Sequence, residues 1–109
     1  MSLVVTFGEI MMRATTPGFS RLVQSIPGVL DCSFAGAEAN VAAIINSLGG
    51  RSRLVTALPK NELGEACIRH LKWLGIDTSE IVQVEDGRMG VFFVESGASQ
   101  RGGSVIYDR

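Results

Sequence analysis

The chain has 109 residues, 46% of them hydrophobic, 19% charged and 6% aromatic, which is one domain's worth of protein with apolar content for one packed core. Ten basic against eleven acidic side chains leave a formal charge of -1, so no electrostatic footprint argues for nucleic acid, and nothing in the balance argues for disorder. The longest apolar run, Val41-Ala42-Ala43-Ile44-Ile45, is far too short to span a bilayer, and Met1-Ser2-Leu3 lacks the basic start and long apolar stretch of a secretion signal, so a cytoplasmic chain with no membrane partner is expected.

In chain order, residues 3–7 (Leu-Val-Val-Thr-Phe) form a β-branched run ended by Gly8, the composition of a strand covered on both faces. Residues 9–16 make a second apolar stretch, closed by the turn dipeptide Pro17-Gly18. Residues 19–27 show no clear period and read as a loop, and residues 29–34 read as a strand. Cys32 on that strand and Cys67 further on have no metal-ligand spacing. They are expected to be small core hydrophobes in a reducing compartment rather than a disulfide.

Two segments have a helical period. From Ala37 the apolar positions Val41, Ile44, Ile45 and Leu48 follow the i, i+3, i+4, i+7 rule, and Gly49-Gly50 supplies the stop. Leu63, Cys67, Leu71 and Leu74 make a second stripe, with Asn61 as N-cap and Gly75-Ile76 as a Schellman-type end. Glu65 and Arg69 are a favourable i, i+4 pair on its exposed face, His70 lies on the flank of the stripe, and Trp73 is expected to be partly buried at the helix end. Residues 53–58 between the helices read as a short strand. Strands alternating with helices predict an α/β fold with a parallel sheet.

Beyond Asp77 the pattern changes. Residues 80–84 are a weak strand, residues 90–95 a strong one, residues 97–103 a Gly/Ser-rich connection, and residues 104–108 a strand again. This predicts an antiparallel hairpin standing apart from the parallel sheet as a flap or lid. Its expected apolar face of Val91, Phe93, Val105 and Tyr107 invites edge pairing with a second copy. Arg109 ends a strand-like segment with no cap or polar tail, which reads as the end of a fragment.

Gly36-Ala37-Glu38-Ala39-Asn40 is the most informative stretch for chemistry. Glycine before a helix lets a ligand approach the backbone, the first-turn N–H groups bind hydroxyl or anionic oxygens, and Asn40 carries both a donor and an acceptor. On spacing alone the plain alternative is an ordinary strand-to-helix turn with Asn40 on the solvent face. No dinucleotide fingerprint and no P-loop occurs. His70 has no second ligand at metal spacing, and Ser20, Ser25 and Ser33 have no base nearby in sequence, so neither a metal site nor a serine nucleophile has support.

The run Phe34-Ala35-Gly36-Ala37-Glu38-Ala39-Asn40-Val41-Ala42, followed by Leu48-Gly49, resembles the first signature of ribokinase-like (PfkB-type) carbohydrate kinases. Residues 56–64 resemble the segment that opens the family's second helix, Leu74-Gly75-Ile76-Asp77-Thr78 its usual ending, and the expected hairpin its lid. Within the family, Gly8-Glu9-Ile10-Met11-Met12-Arg13 and the Gly36–Asn40 run are most similar to 2-keto-3-deoxygluconate kinases. The resemblance implies a partial three-layer α/β/α fold with a small antiparallel β-lid, built from residues 10–16, 90–96 and 103–109. It implies phosphorylation of an acidic sugar with ATP and Mg2+, these 109 residues carrying the sugar-binding part only and clasping a second copy through the lid. Another sugar or a nucleoside as acceptor, and a non-catalytic sugar-binding or dimerisation module, are the alternatives. By the same resemblance, Gly36, Ala37, Glu38, Ala39 and Asn40 bind sugar hydroxyls, Phe92 packs on the substrate, and Tyr107, Asp108 and Arg109 reach toward the carboxylate end. Arg pairs two-pronged with a carboxylate, and Arg88 or Arg101 is the alternative to Arg109 in that role. Three positions depart from the family pattern: Ala37 replaces its second glycine, Asn61 the usual acidic residue and Pro59 a glycine. The family's catalytic base and anion hole lie in a motif this chain lacks, so no kinase activity and no bound ATP or Mg2+ is expected of these residues alone.

Overall fold

The computed structural model describes residues 2–97 and 102–109. Arg101 and most of the connection expected over residues 97–103 lie outside them. The chain divides into two compact units, one made of Met1–Ile10 with Ala35–Met89, the other of Met11–Phe34 with Gly90–Arg109.

The first unit is α/β. Strand β1 (Leu3–Phe7) pairs in parallel with β4 (Arg51–Val55), Leu3 opposite Arg51 and Phe7 opposite Val55. Helix α2 (Ala37–Ser47) precedes β4 and packs on both strands, the arrangement that a parallel pair requires of its crossover. Strands β5 (Ala57–Pro59) and β6 (Val82–Val84) form a second parallel pair, with helix α3 (Glu62–Trp73) lying between them in sequence. Asp77 extends the β4 ladder: its N–H donates to the Ser52 carbonyl at 2.9 Å, and its own carbonyl accepts from Leu54 at 3.2 Å.

Local chemistry accounts for α3. The Asn61 side chain accepts from the N–H groups of Leu63 (3.0 Å) and Gly64 (3.1 Å), and Gly75 terminates the helix at φ +83°, a left-handed conformation that favours glycine. Gly64, Cys67 and Leu71 are its buried face, and with Leu54, Leu58, Ala42 and Ile76 they make the core of this unit. Leu63, expected on that face, is exposed, and so is Trp73.

Two apolar segments lie differently from expectation. Val4, Val5 and Phe7 of β1 are exposed, because β1 belongs to a ladder of only two strands among the described residues. Of the expected apolar stripe on α2, Val41, Ile44 and Leu48 face outward and Ile45 is half-buried, while Ala42 is fully buried. The small Ala42 side chain lets the helix backbone approach the sheet, where the buried Ser52 hydroxyl donates to the Ala42 carbonyl at 2.8 Å. Close approach at Ala42 therefore selects the inward face, not the larger side chains.

The second unit is a four-stranded sheet in the order β3 (Asp31–Ala35), β2 (Met11–Thr15), β7 (Val91–Glu95), β8 (Ser104–Asp108). The expected hairpin is there: β7 and β8 pair antiparallel. The sheet is not purely antiparallel, because β2 runs parallel to β7. The segment expected as a loop over residues 19–27 contains a short helix α1 (Leu22–Ser25). Gln24 caps its start by accepting from Arg21 N–H at 2.9 Å, and the Glu95 carboxylate accepts from Leu22 N–H at 2.7 Å, a partner from β7 that no local pattern reveals. Cys32 of β3 is exposed rather than a core residue, whereas Cys67 is buried as expected; both are free thiols.

Candidate functional site

In the first unit, Gly36 is the N-cap of α2 with an extended backbone (φ -179°), so its glycine is not required by strain. Space requires it. A Cβ at Gly36 would stand 2.5 Å from the Glu9 carbonyl oxygen and 3.5 Å from Ile10 Cα, so the helix start lies directly against the segment leaving β1. Asn40 N–H donates to the Gly36 carbonyl at 2.9 Å and closes the first turn, in which Gly36 offers no side-chain cap. Helix geometry then leaves the N–H groups of Ala37, Glu38 and Ala39 without an intrahelical acceptor. Ala37 and Asn40 are exposed; Glu38 and Ala39 are half-buried.

Glu38 sits in the first turn, where its charge complements the helix dipole, and its carboxyl lies where any side chain on Gly8 would stand. Beside it, at the carboxyl ends of β1 and β4, a hollow of about 480 Å³ is lined by Phe7, Gly8, Glu9, Val55, Thr56, Ala57 and Val82. Ligands of open α/β sheets bind outside the carboxyl ends of the strands, so the hollow has the location expected of a substrate region. Gly8 and Glu9 belong to both the hollow and the seat of the helix start, a juxtaposition that sequence spacing could not reveal.

In the second unit, the register sorts the expected lid residues by face. Phe92 lies opposite Tyr107, and their rings stack with centroids 5.7 Å apart and planes 29° from parallel. Arg109, two residues beyond Tyr107, holds its guanidinium carbon 5.4 Å from the Tyr107 ring centroid. Phe92, Tyr107 and Arg109 thus share one face, as side chains two apart on a strand must. Asp108 is turned to the other face, opposite Val91. The same alternation overturns the single apolar face expected of Val91, Phe93, Val105 and Tyr107. Val91 and Phe93 lie on the Asp108 side, and Val105 pairs with Val94 on the Tyr107 side.

Sequence reasoning passed over Arg13 and Met11 as site residues. Arg13 lies beside Phe92 in the parallel ladder, so it shares the face with Phe92 and Tyr107. Met11 meets Arg109: the Nη1 group donates to Met11 Sδ at 3.8 Å. Arg88, the alternative to Arg109, is an exposed residue of the first unit. His70 lies 6.3 Å from Trp73, ring to ring and stacked, on the exposed side of α3. Among the described residues no three His, Cys, Asp or Glu side chains gather as a metal site, and no helix is long and apolar enough to cross a membrane.

A family model described as pfkB family carbohydrate kinase matches residues 1–108. The chain is similar to a 2-dehydro-3-deoxygalactonokinase of Haloferax volcanii, 34% identical over 97% of this chain and 32% of the relative. It is 35% identical to Fructokinase-2 of Solanum habrochaites over 84% of this chain and 28% of that protein. Among solved structures, 2-dehydro-3-deoxygluconokinase of Thermotoga maritima superposes with a TM-score of 0.93 at 44% identity, covering 100% of this chain and 32% of the neighbour. The chain therefore spans about a third of the length of the relatives it matches.

Proposed function

The chain belongs to the pfkB family of carbohydrate kinases, and from that premise we propose that its residues recognise the sugar in an ATP-dependent kinase acting on an acid such as 2-keto-3-deoxygluconate. The observation that carries this reading is the face shared by Phe92, Tyr107 and Arg109. An aromatic pair beside a guanidinium suits a substrate with an apolar carbon chain at one side and a carboxylate at the end. The guanidinium fork pairs two-pronged with a carboxylate, and the Tyr107 hydroxyl adds a donor. Gly36, Ala37, Glu38, Ala39 and Asn40 take the sugar hydroxyls, through the first-turn N–H groups and the Asn40 amide. Asp108 lies on the face opposite Tyr107 and Arg109. The names of the Haloferax volcanii and Thermotoga maritima relatives support a 2-keto-3-deoxy acid as substrate.

ATP and Mg2+ belong to this reading through the family alone. Phosphoryl transfer rests on positioning and on stabilising the charge of the transferred group, and these residues supply the positioning of the acceptor. The 109 residues by themselves are expected to bind the sugar acid without phosphorylating it.

Titration of the chain with 2-keto-3-deoxygluconate and with fructose, followed by calorimetry, tests the reading. Saturable binding of the acid in preference to fructose, lost in Arg109→Leu, is the expected result. Equal affinity for the two sugars would favour the second reading, a kinase for a neutral sugar, which the likeness to a fructokinase supports. A dimer formed through the lid edge has support in the exposed Val105 and Ile106 on β8, the outermost strand of its sheet, and concentration-dependent association without ligand is its signature.

A further inference from the structure

We infer that Met11 and Gly90 are positioning residues for Arg109, forming a seat that aims its guanidinium; this rests on the carboxylate-recognition reading and adds to it the residues that set the geometry.

The pairing places the three in one row. Met12 pairs with Val91 in the parallel ladder, and Val91 pairs with Asp108 in the antiparallel one. The row one residue further along therefore holds Met11, Gly90 and Arg109, side by side on the Tyr107 face. Met12 N–H donates to the Gly90 carbonyl at 2.9 Å and holds Gly90 in place between its neighbours.

Each neighbour limits Arg109 in a different direction. A Cβ at Gly90 would lie 2.9 Å from Arg109 Cβ, 3.2 Å from Met11 Cε and 3.4 Å from Met11 Cγ. The absence of a side chain there is what lets the stem of Arg109 and the thioether of Met11 meet over the strand. Met11 is 6% exposed, so its sulfur is a fixed wall, and it accepts from Arg109 Nη1 at 3.8 Å. The Tyr107 ring closes the third side at 5.4 Å.

The chemistry of the wall matters. A thioether is a weak, uncharged acceptor, so it orients an N–H group without competing for the fork as a carboxylate would. An arginine side chain otherwise loses much rotamer freedom on binding, and a seat that settles this beforehand lowers the cost of pairing with a ligand carboxylate.

The test compares Gly90→Ala, Met11→Leu and Arg109→Leu in the 109-residue chain, titrated with 2-keto-3-deoxygluconate and with fructose. The ligand-free Arg109 Nε–H resonance serves as a second readout. Gly90→Ala is expected to weaken acid binding about tenfold, the worth of about one immobilised side chain, with fructose binding unchanged. Met11→Leu, which keeps the volume and removes the sulfur, is expected to move the Arg109 resonance and to weaken acid binding by a smaller factor. Equal losses for both sugars in Gly90→Ala would overturn the seat, and so would an unmoved Arg109 resonance in Met11→Leu. If Arg109→Leu removes the preference for the acid while the other two variants keep it, the seat falls and the recognition reading stands. If Arg109→Leu itself keeps the preference, the recognition reading falls and takes the seat with it.

Discussion

Phe92 and Tyr107 stand directly opposite each other across the β7–β8 ladder, with ring centroids 5.7 Å apart. Cross-strand aromatic pairs of this kind stabilise a hairpin and fix its register together, because a slip of one residue would carry one ring to the other face and break the stack.

The pair gives a stability prediction separable from recognition. Tyr107→Ala is expected to cost about 0.5–1.5 kcal/mol by loss of ring contact, toward the lower end because Tyr107 is largely exposed. Tyr107→Phe keeps the stack and removes only the hydroxyl. Urea denaturation should therefore find Tyr107→Phe close to the parent and Tyr107→Ala below it; a parent-like midpoint for Tyr107→Ala would contradict the assignment.

Gly36 is predicted to reject even one methyl group. Its backbone is extended, so alanine suffers no conformational strain, but the new Cβ would meet the Glu9 carbonyl oxygen at 2.5 Å. A backbone carbonyl cannot swing aside as a side-chain end can. Gly36→Ala is expected to cost about 1–3 kcal/mol, the range for overpacking, read from the shift in denaturation midpoint.

Asp77 makes part of the stability pH-dependent. Hydrogen bonds from Ser79 (its N–H at 2.8 Å, and its hydroxyl) and the bond from Arg53 Nε at 2.8 Å hold the carboxyl at about 2, below the ordinary 3.8. A carboxylate whose pKa falls on folding contributes stability that is fully present above its unfolded pKa and disappears as pH drops through the folded value. Denaturation midpoints should therefore decline between pH about 4 and about 2, and less steeply in Asp77→Asn. Parallel profiles for parent and variant would refute this.

The two cysteines should separate under a thiol reagent. Cys32 is exposed, whereas burial removes Cys67 from solvent and pushes its thiol up to about 11. At pH 8 the folded chain is expected to label at Cys32 and the unfolded chain at both. Prompt labelling of Cys67 in the folded chain, located by peptide mass, would show that the core around it opens.

Much of the fold is legible in short stretches of sequence, because the interactions that specify it are local. Asn61 caps α3 through its own next residues, Gly75 ends it at positive φ, and the β-branched runs flank the turn residues that separate them. The glycine at the start of α2 was read as room for a ligand, whereas the neighbour that requires it is the Glu9 carbonyl, a residue far away in sequence.

What stayed illegible depends on partners far apart in the chain. The parallel pairing of β2 with β7 joins residues 11–15 to residues 91–95, and no periodicity within either segment reports it. The face of α2 turned to the sheet was decided by Ala42 and its bond from Ser52, against the larger Val41, Ile44 and Leu48. Sequence alone was enough for the family resemblance and for most element types, the helix α1 excepted, and it named Tyr107 and Arg109 as candidates. Only the paired strands could show that Asp108 turns away from them and that Met11 and Gly90 meet Arg109, because a strand's two faces are assigned by register, and register is a property of two segments at once.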